Sequence, residues 1–277
     1  MDRIQATLTV EEGKELIAMG VVENPLVQEV LKKGKVLLKG GTTVSKISEK
    51  LLGFPLRISG RITNRGTVAS LKDVDGPHSI IIEKGKWYDI DETIASQVQR
   101  FGREDVIICG ANAFDSEGRA AIMAGSPGGG NIGLSLSSWY TEGASVLIPV
   151  GIEKMIPGNL DNIISKTGRR GKKLSWGMAV GLMPLKGEIF TEIDAIKSLA
   201  NVEAYAIGAG GLGEAQGSIT LDIMGEEVEL EKIIEIIRNI KATEHSVSGQ
   251  EDSLTECEAI CDSCKRHIGC GYKSGKL

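Results

Sequence analysis

Cys257, Cys261, Cys264 and Cys270 are four of the five cysteines in the chain, separated by gaps of three, two and five residues. Four soft thiolates in so short a run have the chemistry to hold a 4Fe-4S cluster or a tetrahedral zinc ion. The compact spacing, without two symmetric Cys-x2-Cys knuckles, leans toward the iron–sulfur cluster, with zinc as the alternative. His267 lies close enough to replace one thiolate, and Gly269 and Gly271 permit tight wrapping around a centre. A redox-active or unligated tail is the plain alternative. Cys109 stands alone in an apolar run and is expected in the core.

A second chemistry is anion binding. Gly40, Gly41, Thr42 and Thr43 follow the apolar run at 36–38 and precede a helical pattern. Glycines there let the backbone approach an oxyanion, and the threonines offer hydroxyls, one of which can cap the helix. A tight turn with an N-cap is the bland reading. The stretch 110–133 carries Asn112, Asp115 and Glu117, then a glycine loop with Gly128, Gly129 and Gly130. It reads as a polar pocket rim with a mobile cover, although a glycine hinge and an Asx-turn at Asp115 would also account for it. Asp115, Glu117 and Glu214 are the candidate acid/base residues. The glycines at 208–213 suggest a dinucleotide fingerprint, but a strand-like run follows where that fingerprint needs a helix.

The elements that must position these residues alternate. Helices are expected at 11–18, from Pro25 to Gly34, at 44–52, 91–101, 194–199 and 230–241. Short, nearly all-apolar strands are expected at 35–39, 79–83, 105–109, 144–150 and 202–207. That alternation predicts an α/β fold with a mostly parallel sheet covered by helices on both faces. In such a sheet the ligand crevice lies beyond the carboxyl ends of the strands, where the 40–43 turn falls. Residues 1–241 are read as one ligand-binding domain, the polar stretch 242–255 as a linker and 256–277 as a small Cys-rich module.

A net charge of -5 argues against a general nucleic-acid binder, which needs a basic excess. The basic stretch at 167–174 is read as a solvated loop. The amino terminus lacks the pattern of a signal peptide and no apolar run is long enough to span a membrane, so a cytoplasmic protein without membrane partners is expected. Thiols in that compartment point to metal or redox chemistry rather than structural disulfides.

The segments 36–44 and 107–118 together resemble the superfamily of ribose-5-phosphate isomerase, glucosamine-6-phosphate deaminase, the CoA transferases and DeoR-type effector domains. The first is similar to its strand, Gly-Thr-Thr phosphate loop and helix. The second is similar to its Gly-Ala-Asp segment, and 146–154 is a weaker echo of a later strand ending in a lysine. The resemblance implies a Rossmann-like fold with a phosphorylated sugar or CoA ester at residues 40–43. It also places Asp115 or Glu117 near the reacting end and Lys154 against the ligand's charge. Asn112 departs from the acidic residue of that motif, and an amide cannot act as a base; no glutamate nucleophile of the CoA transferase type is evident. Two functions follow as expectations: an isomerase- or transferase-like enzyme of an anionic small molecule, or a ligand or redox sensor using the same pocket. Homo-oligomers are common for such folds.

Overall fold

Five-residue apolar runs are too short for buried helices and bury best inside a sheet, which is where most of them lie. A computed structural model describes residues 1–70, 75–244, 249 and 268–276. The central sheet has six strands in the order β12 (Glu188–Phe190), β10 (Ser145–Pro149), β7 (Val106–Cys109), β2 (Lys35–Lys39), β5 (Ser79–Glu83) and β6 (Lys86–Asp89). The first four are mutually parallel, whereas β5 runs antiparallel to β2, and β6 to β5.

Side chains along these strands alternate between two cores. Val36, Leu38, Ile80, Ile82, Val106, Ile108 and Leu147 face one of them. Leu37, Ile81, Ile107, Cys109, Val146 and Ile148 face the other. The first core is closed by helices α1 (Val10–Glu23), α2 (Pro25–Lys33), α3 (Thr42–Leu52), α7 (Glu192–Leu199) and α8 (Glu227–Ala242). The second is closed by α4 (Ile94–Val98) and α5 (Gly130–Thr141), whose Trp139 is fully buried. Each fully buried Leu, Ile or Val side chain contributes about 1.5–3 kcal/mol over its exposed state, so both faces of the sheet are strongly held.

The sheet is mixed, and two sequence expectations change with it. After α3 the chain returns to the carboxyl end of β2 through the hairpin β3 (Gly60–Thr63) and β4 (Gly66–Ala69). Ser79 then pairs with Lys39, so β5 must run back along β2 in the opposite sense. The turn joining β5 to β6 has positive φ at both Lys84 and Gly85, the tight-hairpin conformation.

Residues 202–207, expected among the parallel strands, belong to a separate antiparallel sheet. Its order is β1 (Asp2–Leu8), β14 (Ser218–Gly225) and β13 (Val202–Gly210). In β13 only Val202 and Ala204 are buried and the remainder is exposed, so this strand packs on one face only. The glycines at 208–213 lead into β14, with no helix between beyond the single turn Gly213–Ala215. A third sheet, β11 (Gly181–Leu185), β9 (Ala120–Ala124) and β8 (Ala113–Phe114), packs with α6 (Leu160–Lys166). Among the described residues no helix is long and apolar enough to cross a membrane.

Candidate functional site

The parallel strands β2, β7 and β10 end at one wall of a cavity of about 1410 Å³. Lys39, Cys109, Gly110, Glu153 and Lys154 come from these strand ends or just beyond them. The β3–β4 hairpin, the 122–132 segment and the start of α1 supply the other walls.

Gly40, Gly41, Thr42 and Thr43 all line the cavity, and the two glycines serve different needs. A Cβ on Gly40 would lie 2.3 Å from the His78 carbonyl oxygen and 2.5 Å from His78 Nδ1, so the fold itself requires glycine there. Gly41 is extended, with φ 178°, and a Cβ on it would meet nothing within 4 Å among the described residues. Gly41 is the N-cap of α3, and among the described residues no side chain caps this helix; the threonine cap expected from sequence is not made because α3 already begins at Thr42. Ser45 N donates to Gly41 O at 2.7 Å, which leaves the amides before it outside the helical ladder. Thr43 is 3% exposed, yet among the described residues its hydroxyl has no hydrogen-bond partner. A buried, unsatisfied hydroxyl costs about 1–3 kcal/mol. Uncapped amides and the helix dipole together favour a negatively charged oxygen at this wall.

The glycine loop feeds a second helix into the same space. Gly128, Gly129 and Gly130 all have positive φ, and Gly129 is the N-cap of α5, again without a side-chain cap. Gly129 and Gly130 line the cavity; Gly128 is not among its lining residues. Asn112 also lines it, but its Oδ1 accepts a hydrogen bond from Met123 N at 2.9 Å and thereby ties β9 to the end of β7.

Charged side chains surround the cavity in pairs. Lys14 contacts Glu11 at 2.5 Å, Arg57 contacts Asp91 at 2.8 Å and Lys154 lies 3.9 Å from Glu153. Glu192, at the start of α7, is 2% exposed and accepts a hydrogen bond from Ile152 N at 3.0 Å. Burial first, and the neighbouring Glu153 carboxylate next among the raising influences, push its carboxyl up to about 7. Lys154 is pulled below the ordinary lysine value, chiefly by burial, against the attraction of Glu153. Glu192 and Lys154 thus titrate nearer neutrality than free side chains do, as acid/base residues of active sites often do.

The carboxylates singled out in the sequence lie elsewhere. Asp115 is 3% exposed and accepts hydrogen bonds from Glu117 N, Arg119 N, Arg119 Nη1 and Leu160 N at 2.9–3.0 Å. Burial opposes its ionisation, but these donors outweigh burial and hold its carboxyl down at about 2. Its geometry is that of a structural anchor between the 115–119 turn and α6. Glu117 is exposed and paired with Arg119 at 2.6 Å. Glu214 sits on the exposed turn Gly213–Ala215, while its neighbours Gln216 and Gly217 reach the cavity. Neither Asp115, Glu117 nor Glu214 is among the lining residues.

Cys257, Cys261, Cys264 and His267 lie outside the described residues. Cys270 is described: it bridges to Ser175, and Ser175 N and Ala179 N donate to the carbonyls of Gly269 and Ile268. Among the described residues no group of three His, Cys, Asp or Glu side chains could hold a metal ion. Cys109 lies in the core beside the cavity; burial pushes its thiol up to about 11, against the pull of Lys39.

Lys39, His78, Arg57, Asp91, Glu11, Lys14, Glu153 and Glu192 were not picked out by sequence. One usable signal existed: His78 is one of only three histidines, and it adjoins an apolar strand. No family model matches the chain, and no curated protein or solved structure matches it either.

Proposed function

We propose that the protein binds a phosphorylated small molecule, a sugar phosphate or a CoA ester, with its anion at the amino end of α3, and converts it in the same cavity. One observation carries the proposal: the uncapped amides that open α3 on the wall of a large cavity, beside an enclosed Thr43 hydroxyl that has no partner among the described residues. The position of that cavity at the carboxyl ends of parallel strands supports a Rossmann-like reading of the fold. Turnover, rather than sensing alone, is supported by Lys154 on the cavity wall and Glu192 behind it, whose proton affinities burial has shifted toward neutrality.

Replacing Thr43 by valine keeps the shape and removes the unsatisfied hydroxyl. The unliganded variant is expected to be more stable by up to about 1 kcal/mol and to bind roughly tenfold more weakly. Thermal shifts with ribose 5-phosphate and with acetyl-CoA measure both effects. Stabilisation by neither ligand in the wild-type protein would remove the anion reading, and binding without any product would leave a sensor.

The four cysteines are proposed to hold a 4Fe-4S cluster, with zinc as the alternative. Protein purified anaerobically is expected to be brown, absorbing near roughly 400 nm, and to bleach on chelation. Colourless protein releasing one zinc per chain would overturn the iron–sulfur assignment.

A further inference from the structure

Lys14, Arg57 and Lys154 on the cavity wall lie within ion-pair distance of a carboxylate, but among the described residues Lys39 makes no such ion pair, and the Asp91 carboxylate acts on it only at longer range. Among the described residues its hydrogen-bonding partner is the Nε2 atom of His78. The tautomer of that ring is set by its other nitrogen. Nδ1 lies 2.6 Å from the carbonyl oxygen of Arg57, which can only accept, so Nδ1 carries the proton and Nε2 presents a lone pair. The ring cannot easily turn away. His78 is 8% exposed, its backbone N donates to Asp91 Oδ2 at 2.9 Å, and its Nδ1 and carbonyl oxygen fill the space that a side chain on Gly40 would need.

We infer that Lys39 is a catalytic nucleophile that forms an imine with a carbonyl group of the bound ligand, while His78 Nε2 relays the proton. An uncharged amine donating one N–H to Nε2 keeps its own lone pair for attack. Burial supports that state, since it pulls the Lys39 ammonium below its ordinary value. His78 is held well below its own value, chiefly by burial, which keeps the ring neutral with its Nε2 lone pair free. Burial pushes the thiol of Cys109, the strand neighbour opposite Lys39, up to about 11, so it is protonated at neutral pH, and the Asp91 carboxylate is the charge that opposes the effect of burial on Lys39.

In the reaction, Lys39 Nζ bonds to the carbonyl carbon and the C=O π bond opens. One Nζ proton passes through His78 to the carbonyl oxygen, giving a carbinolamine. The second Nζ proton leaves with that hydroxyl as water, giving C=N. No electrons are gained or lost overall. The substrate class, a phosphorylated aldehyde or ketone, rests on the function proposed above; the amine chemistry of Lys39 does not.

The full-length protein would be treated with glyceraldehyde or with glyceraldehyde 3-phosphate, reduced with borohydride and mapped by peptide mass spectrometry. Lys39 is expected to carry the reduced adduct at roughly ten times or more the level of the exposed Lys84 and Lys86. Label at Lys39 no higher than at those residues, or concentrated on Lys14 or Lys154, would overturn the assignment without relying on any variant. Lys39→Arg should lose the adduct. Thermal stabilisation by the phosphorylated aldehyde with no Lys39 adduct sinks the nucleophile and keeps the anion seat. Labelling of Lys39 that phosphate does not enhance keeps the nucleophile and sinks the seat.

Discussion

Gly41→Ala is expected to leave the protein folded and to weaken binding of ribose 5-phosphate or acetyl-CoA by about 100-fold, the equivalent of about 3 kcal/mol. The backbone at Gly41 is extended and accepts any residue, and a Cβ there touches no atom of the described residues. Stability should therefore change by less than about 1 kcal/mol, because alanine is a slightly poorer N-cap but a less flexible unfolded residue. The penalty falls on the ligand instead. A methyl group on the cavity wall beside the α3 amides would hold an anion away from them, and each charge-assisted hydrogen bond lost is worth about 1.5–3 kcal/mol. Gly40→Ala is the contrasting control, since its Cβ would collide with the His78 and Arg57 backbone and disturb folding. Isothermal titration beside denaturant unfolding separates the two effects. Gly41→Ala that binds like the wild type would end the case for an anion at this helix.

Glu192→Gln should stabilise the protein by up to about 3 kcal/mol near pH 8 and have little effect near pH 4. The sign follows from proton binding. The ordinary glutamate value is 4.5, and burial, reinforced by Glu153, raises the folded value to about 7. Between those values the folded state holds a proton that the unfolded state has released, so wild-type stability falls as pH rises through this window and levels off above it. Moving a carboxyl's pKa by one corresponds to about 1.4 kcal/mol of stability on the side where the charge is buried. Glutamine can still accept the Ile152 amide bond and has no charge to bury. Urea unfolding at several pH values would show the two curves diverging above about pH 5. A glutamine variant less stable than the wild type near pH 8 would mean that the ionised Glu192 carboxylate is held by Lys154 strongly enough to outweigh the cost of its burial.

Much of the fold was legible because its signals are local. Pro25 and Gly34 bracket α2, and the apolar runs at 35–39 and 106–109 become adjacent strands of the central sheet. Signals that depend on partners were not. The stretch Gly130–Thr141 is rich in glycine and serine, and it becomes α5 because its Trp139 is buried in the second core. Asp2–Leu8 becomes a strand because β14, more than 200 residues later, pairs with its whole length. Asp115 illustrates the reverse error: a carboxylate after a strand resembles a catalytic group until four donors close around it.

By itself, then, the amino-acid sequence determined the α/β character, the buried strands and the glycine-threonine turn at 40–43, since propensity, periodicity and turn chemistry depend on near neighbours. Only the tertiary structure decided which charges share a cavity with that turn. Lys39 meets His78, and Ile152 meets Glu192, because β5 doubles back along β2 and β12 lies beside β10. Strand order brings residues tens of positions apart to one wall, and a side chain's protonation there depends on burial and on partners that no local pattern encodes.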